Sequence, residues 1–135
     1  MSLSKIFNIS STAIAAQSQR LNVVASNLAN ADSVAGPDGQ AYKARQVMFE
    51  ARQPERTGGV GGVRVSGITE DNSPGKRSYD PTHPLADPQG YVTASNVNAV
   101  EEMVNMIAAS RSYQNNVEVL NTTQQLLIKT LQLGQ

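Results

Sequence analysis

All six prolines of this 135-residue chain fall between Pro37 and Pro88, and nine of its ten glycines fall between Gly36 and Gly90. In a helix interior, glycine costs about 1 kcal/mol and proline about 3 kcal/mol relative to alanine. Residues 1–32 and 97–133 are therefore free to form long helices, and the stretch between them is left to strands, turns and loops.

Both ends carry a helical repeat. Leu3, Phe7, Ser10, Ile14, Gln17, Leu21, Val24 and Leu28 recur at alternating spacings of four and three, a narrow stripe of coiled-coil type. Met103, Met106, Ser110, Tyr113, Val117, Leu120, Gln124, Leu127 and Leu131 keep the same alternation, and Val97, Val100, Val104 and Ile107 are expected to widen that face near its start. Asn98 with Glu101 three residues on resembles a capping box. Glu101 and Glu102 suit the positive end of the helix dipole. Asn30, Asp32 and Gly36-Pro37 are stop signals for the first helix, and Gly134 for the second.

In the middle, residues 41–49 alternate with Ala41, Lys43, Arg45, Val47 and Phe49 on one face, and Val63–Ile68 reads as a strand after a turn at Gly58–Gly62. Asn72-Ser73-Pro74-Gly75 turns the chain again. Residues 80–90 form a turn-rich connection, because each residue before a proline is pushed away from the helical region. The expected fold is α+β: two long terminal helices forming a coiled-coil-like pair, joined by a small irregular β unit. Its segments are an N-terminal helix (1–34), a Gly/Pro-rich β unit (35–95) and a C-terminal helix (96–135).

Eleven basic and eleven acidic residues give no net charge, against nucleic acid or an anionic membrane as partner. Residues 1–30 hold only Lys5 and Arg20, and residues 96–135 only Glu101, Glu102, Arg111, Glu118 and Lys129. A solvated helix face normally carries Lys and Glu. Long faces of Ala, Ser, Asn and Gln instead suit close packing against other helices, so these helices are expected to order within a multi-subunit wall. No cysteine is present, which excludes disulfides and thiolate chemistry. Asn8, Ser10, Ser11 and Thr12 interrupt what would be the apolar core of a cleaved leader.

Candidate chemistry is sparse. His83 is the only histidine, in a loop with Asp80 and Asp87, and a metal site needs three or four ligands on a rigid frame. Adjacent Glu101 and Glu102 point about 100° apart on a helix and do not form an acid/base pair. The glycines at 58–62 lack the Gly-Lys-Ser/Thr ending of a phosphate loop. No catalytic, metal or cofactor-binding residues are expected. The residues alone also admit a cytoplasmic helical adaptor or export chaperone.

Leu21-Asn22-Val23-Val24-Ala25-Ser26-Asn27-Leu28-Ala29-Asn30-Ala31-Asp32 resembles the N-terminal signature of the flagellar rod and hook axial proteins, with Ser33 where a Thr is usual. Tyr79-Asp80-Pro81-Thr82-His83-Pro84-Leu85-Ala86-Asp87 with Gly90-Tyr91-Val92 resembles a segment that marks short proximal-rod members, and Asn96-Val97-Asn98-Ala99-Val100-Glu101-Glu102 continues it. Arg111-Ser112-Tyr113-Gln114-Asn115-Asn116-Val117 through Leu120-Asn121-Thr122 resembles the C-terminal rod motif. Ser95 and Asn115 stand where Pro and Ala are common.

That resemblance implies a structural subunit of the proximal rod, or else a related axial subunit of FlgB type. It would be exported unfolded through the flagellar type III apparatus without a cleaved signal and built into the periplasmic rod near the MS ring. Implied partners are copies of itself and the rod proteins FlgB, FlgF, FlgG and FliE. The expected assembly residues are Phe7, Ile14, Leu21, Val24 and Leu28 on the first helix, and Met103, Met106, Tyr113, Val117, Leu120, Leu127 and Leu131 on the second. The motif residues are Asn27, Asn30, Asp80, Pro81, His83, Pro84, Asn96, Asn98, Glu101 and Asn121.

Overall fold

A computed structural model describes residues 2–54, 59 and 61–134. Gly58 and Val60 of the expected glycine turn lie outside the described residues. The elements in chain order are α1 (Leu3–Ala29), β1 (Arg45–Arg52), β2 (Gly62–Glu70), β3 (Arg77–Tyr79), β4 (Tyr91–Thr93) and α2 (Ala99–Leu133). Two long helices flank two small two-stranded sheets, β1–β2 and β3–β4, an α+β fold.

The helix ends follow the local chemistry. Ser2 opens α1, its carbonyl and hydroxyl oxygens both accepting from the Lys5 amide. Past Ala29, the Asn30 side chain donates to Ser26 O at 2.8 Å, and the Ser33 hydroxyl donates to Asn30 O. Asn98 caps α2 by accepting from the Glu101 amide at 3.3 Å. At the far end the Gly134 amide donates to Thr130 O.

The chain divides into two compact units. The first comprises residues 1–21, 47–67 and 107–135, and the second residues 22–46 and 68–106. In the first, β2 is pinned to α1 by Thr12, whose hydroxyl donates to Ile9 O at 2.8 Å and accepts from the Val63 amide at 3.1 Å. A side chain at Gly62 would meet that hydroxyl, so the close approach needs glycine. Across the strands Arg64 makes a forked pair with Glu50, and the Ser66 hydroxyl donates to Met48 O.

The second unit is built around side chains that bond backbone. Asn27 is 1% exposed. Its amide nitrogen donates to Arg45 O (2.8 Å) and to Glu102 Oε2 (3.1 Å), and its oxygen accepts from Arg45 N and Tyr42 Oη (both 3.0 Å). Two donors and two acceptors are all an Asn has, and all are used. Asn96 does similar work, accepting from Ala44 N at 2.7 Å and donating to Asp71 O and Ser73 O. The Ser95 hydroxyl, fully buried, donates to Ala31 O. β3 and β4 pair antiparallel with Tyr79 opposite Tyr91, and Val34 bridges Ala94.

The expected strand over 41–49 begins only at Arg45; just before it, the Ala44 amide that a longer strand would pair is taken by the Asn96 side chain. β3 and β4 were not expected from the sequence. At three residues each they are too short to show alternation.

The loop between β3 and β4 is fixed by its own groups. Asp80 accepts from the Thr82 hydroxyl and amide, and His83 Nδ1 accepts from the Leu85 amide. Asp87 accepts from the amides of Gln89 and Tyr91 and pairs with Arg77, whose guanidinium lies 4.7 Å from the Tyr91 ring centre. Gly90 has φ +86°, and a Cβ there would come within 2.8 Å of the Tyr79 ring and 3.1 Å of Pro81. Gly90→Ala is therefore expected to destabilise the protein by roughly 1–3 kcal/mol. Gly67→Ala, with ordinary φ and open space around it, should be neutral within about 0.5 kcal/mol. Denaturant melts of the two variants test the contrast.

Hydrogen bonds from the Tyr91 amide hold the Asp87 carboxyl below its ordinary range, and those from Thr82 do the same for Asp80. A carboxyl depressed on folding stabilises the fold above its unfolded value of about 3.9, and the contribution is lost as pH falls through the folded value. The loop should loosen in acid below about pH 4, and Asp87→Asn should flatten that pH dependence, as read by NMR of the Gln89 and Tyr91 amides.

Candidate functional site

The helices bury little and leave much uncovered. Along α1 the inward line includes Ser10, Val24 and Asn27, all buried, with Ile14, Gln17, Leu21 and Leu28 half-buried. Along α2 the buried positions are Glu102, Ala109 and Thr123, with Met106, Tyr113, Asn116, Val117 and Leu120 half-buried. Ser10, Glu102, Ala109, Asn116 and Thr123 are small or polar, so these positions gain little from water exclusion.

Of the residues expected to widen the apolar face, Val100, Val104 and Ile107 stand together with Met103 on the outward side of α2 and only Val97 falls outside the helix. Val97 lies before α2 and is 1% exposed. Glu102 turns inward to Asn27, which sets the rotation of the helix and leaves Val100, Met103, Val104 and Ile107 facing outward, each more than half exposed. Glu102 stands in the first turn of α2, as the dipole reading expected, and is also a buried hydrogen-bond acceptor. In the first unit, Leu3, Ser4 and Phe7 of α1 and Thr123, Gln124 and Leu127 of α2 line an open, mostly apolar depression of about 290 Å³. Leu126, Ile128, Leu131 and Leu133 are also exposed.

Of the expected assembly residues, Val24 is buried; Ile14, Leu21, Leu28, Met106, Tyr113, Val117 and Leu120 are half-buried; Phe7, Met103, Leu127 and Leu131 are exposed. The motif residues come together chiefly in the second unit. Asn27 and Asn96 bond backbone, Asn30 and Asn98 cap helices, and Asp80, Pro81 and His83 shape the β3–β4 loop. Pro84 lines a surface hollow with Leu85 and Pro37. Glu101 and Asn121 are exposed. Tyr42 and Ser95 went unnoticed as structural residues, and no local pattern in the sequence marks them.

Among the described residues no group of three His, Cys, Asp or Glu stands together as a metal site would require. His83 Nδ1 is engaged by its own loop. No helix among the described residues is long and apolar enough to cross a membrane. What the helices offer is extended, nearly uncharged surface with protruding apolar side chains, a property of chains that pack against others.

Comparison with known proteins gives a consistent picture. Residues 7–37 match the family of flagella basal body rod proteins, and residues 89–133 match the C-terminal family of flagellar basal body rod FlgEFG proteins. The flagellar basal-body rod protein FlgC of Yersinia enterocolitica is 60% identical to this chain, with both chains covered in full. Those of Escherichia coli O6:H1 and Salmonella typhimurium are 56% identical, again over the whole of each chain. Full-length identity of this order leads to one conclusion: the chain belongs to the FlgC family of flagellar basal-body rod proteins, structural subunits of the rod and not enzymes.

Proposed function

We propose that this subunit builds the proximal part of the rod and polymerises through its terminal helices, residues 1–34 and 96–135. These pair in coiled-coil fashion and pack with those of neighbouring subunits around the export channel, while the β unit of residues 35–95 stays outside that wall. The neighbours are copies of itself and the rod proteins FlgB, FlgF, FlgG and FliE, with the MS ring nearby. The subunit reaches the periplasm unfolded through the type III export apparatus, without loss of a leader, and the finished rod carries torque.

The observation that supports this reading is the outward apolar row Val100, Met103, Val104 and Ile107, together with the exposed end of α2 around Leu127 and Leu131. A side chain exposed in the subunit contributes little to its folding, so its replacement tests assembly apart from stability. Val104→Asp and Leu127→Asp should leave the melting of the isolated subunit within about 0.5 kcal/mol of wild type. Both should nevertheless abolish swimming and incorporation into purified basal bodies. Normal swimming of both variants would refute the assembly surface. Leu120→Asp, at a half-buried position, should abolish both as well.

His83 acts only within its loop on this reading. His83→Ala should keep at least partial motility, scored as swarm diameter on soft agar; loss of swimming with normal rod assembly would assign that imidazole a specific role.

A further inference from the structure

The chain holds four methionines, of which Met48, Met103 and Met106 lie among the described residues. Met103 is 55% exposed and Met48 52%, while Met106 is half-buried. With no cysteine present, thioether sulfur is the most readily oxidised side-chain group in the chain, and sulfoxide formation follows exposure. The two exposed methionines have opposite surroundings. Met48 shares its side of β1 with Gln46, Glu50 and Arg52, where a further polar oxygen is well accommodated. On α2, the positions three and four away from Met103 are Ala99, Val100, Met106 and Ile107. None of these has a side-chain N–H or O–H, and from Met103 onward the backbone amides bond within the helix.

We propose that Met103 is a modification site: a hydroperoxide converts its thioether to the sulfoxide, and the modified subunit stays folded but does not dock. This rests on the assembly reading, in which the row Val100, Met103, Val104 and Ile107 meets a neighbour. In the reaction the sulfur lone pair attacks one peroxide oxygen. The S–O bond forms as the O–O bond breaks, and the proton on the attacked oxygen passes to the departing one. Sulfur loses two electrons and the peroxide is reduced, hydrogen peroxide giving water. In the free subunit, water solvates the new oxygen and the fold is unaffected. Pressed into a dry apolar contact, that oxygen loses its water and finds no donor along the row, a penalty the thioether does not carry. Oxidised subunits are thereby sorted from intact ones at the moment of incorporation.

Hydrogen peroxide on the isolated subunit, followed by peptide mass spectrometry, should oxidise Met48 and Met103 at least about threefold faster than Met106. Met103→Gln, with a polar group at the same place, should melt like wild type yet enter purified basal bodies at least about tenfold less. Met103→Leu, apolar and inert to peroxide, and Met48→Gln should both incorporate as wild type does. In cells given hydrogen peroxide while rods are being built, Met103→Leu should incorporate at least about threefold better than wild type. Four outcomes would overturn the inference: Met103 oxidising no faster than Met106, normal incorporation of Met103→Gln, failure of Met103→Leu or Met48→Gln, or equal peroxide sensitivity of wild type and Met103→Leu. Val104→Asp separates this inference from the assembly reading. Normal incorporation of Val104→Asp sinks that reading, whereas its exclusion beside a normal Met103→Gln sinks this inference alone.

Discussion

The structure turns on one amide. Asn27 has every hydrogen-bonding position filled, and two of its bonds, to the N–H and C=O of Arg45, are those a neighbouring strand would otherwise make. Leaving a buried polar group unpaired costs about 1–3 kcal/mol, and without Asn27 the Arg45 backbone, Tyr42 and Glu102 would all lose a partner. The rotation of α2 follows from the same contact. With Glu102 turned to Asn27, the apolar side chains at 100, 103, 104 and 107 have to face outward. A buried polar bond thus decides which apolar groups remain exposed.

The two units use different physics. In the second, short polar side chains bond backbone and replace the long strand ladders that a Gly/Pro-rich sequence cannot form; Asn96 alone holds Ala44, Asp71 and Ser73. In the first, the fully buried helix positions are Ser, Ala and Thr, while Ile14, Leu21, Tyr113, Val117 and Leu120 are only half-buried and Phe7, Leu127 and Leu131 are exposed. A protein stable alone would reverse that arrangement, placing large side chains inside and charges outside. For a subunit of a rod it is the economical one.

Much of this was legible in the sequence. The confinement of Pro and Gly to the middle located both helices, and the three-four alternation marked Val24, Leu28, Val117 and Leu120 as inward-leaning. At the start of α2 the apolar spacing marked a row that faces outward in the subunit, while the position sequestered within it is Glu102. A charged residue reads as exposed until its partner is known, and Asn27 lies 75 residues away. β3 and β4 escaped notice for a related reason. Their three-residue lengths hold no periodicity, and their order comes from Arg77, Asp87 and the tyrosine pair acting across the hairpin.

The scarcity of charge on α1, limited to Lys5 and Arg20, has a consequence for mechanical robustness. Dissolved ions weaken attractions between charges over roughly 10 Å at moderate ionic strength, but they leave close contact between methyl, hydroxyl and amide groups almost untouched. Joints made from such a surface keep their grip whether the surrounding fluid is brackish or nearly fresh.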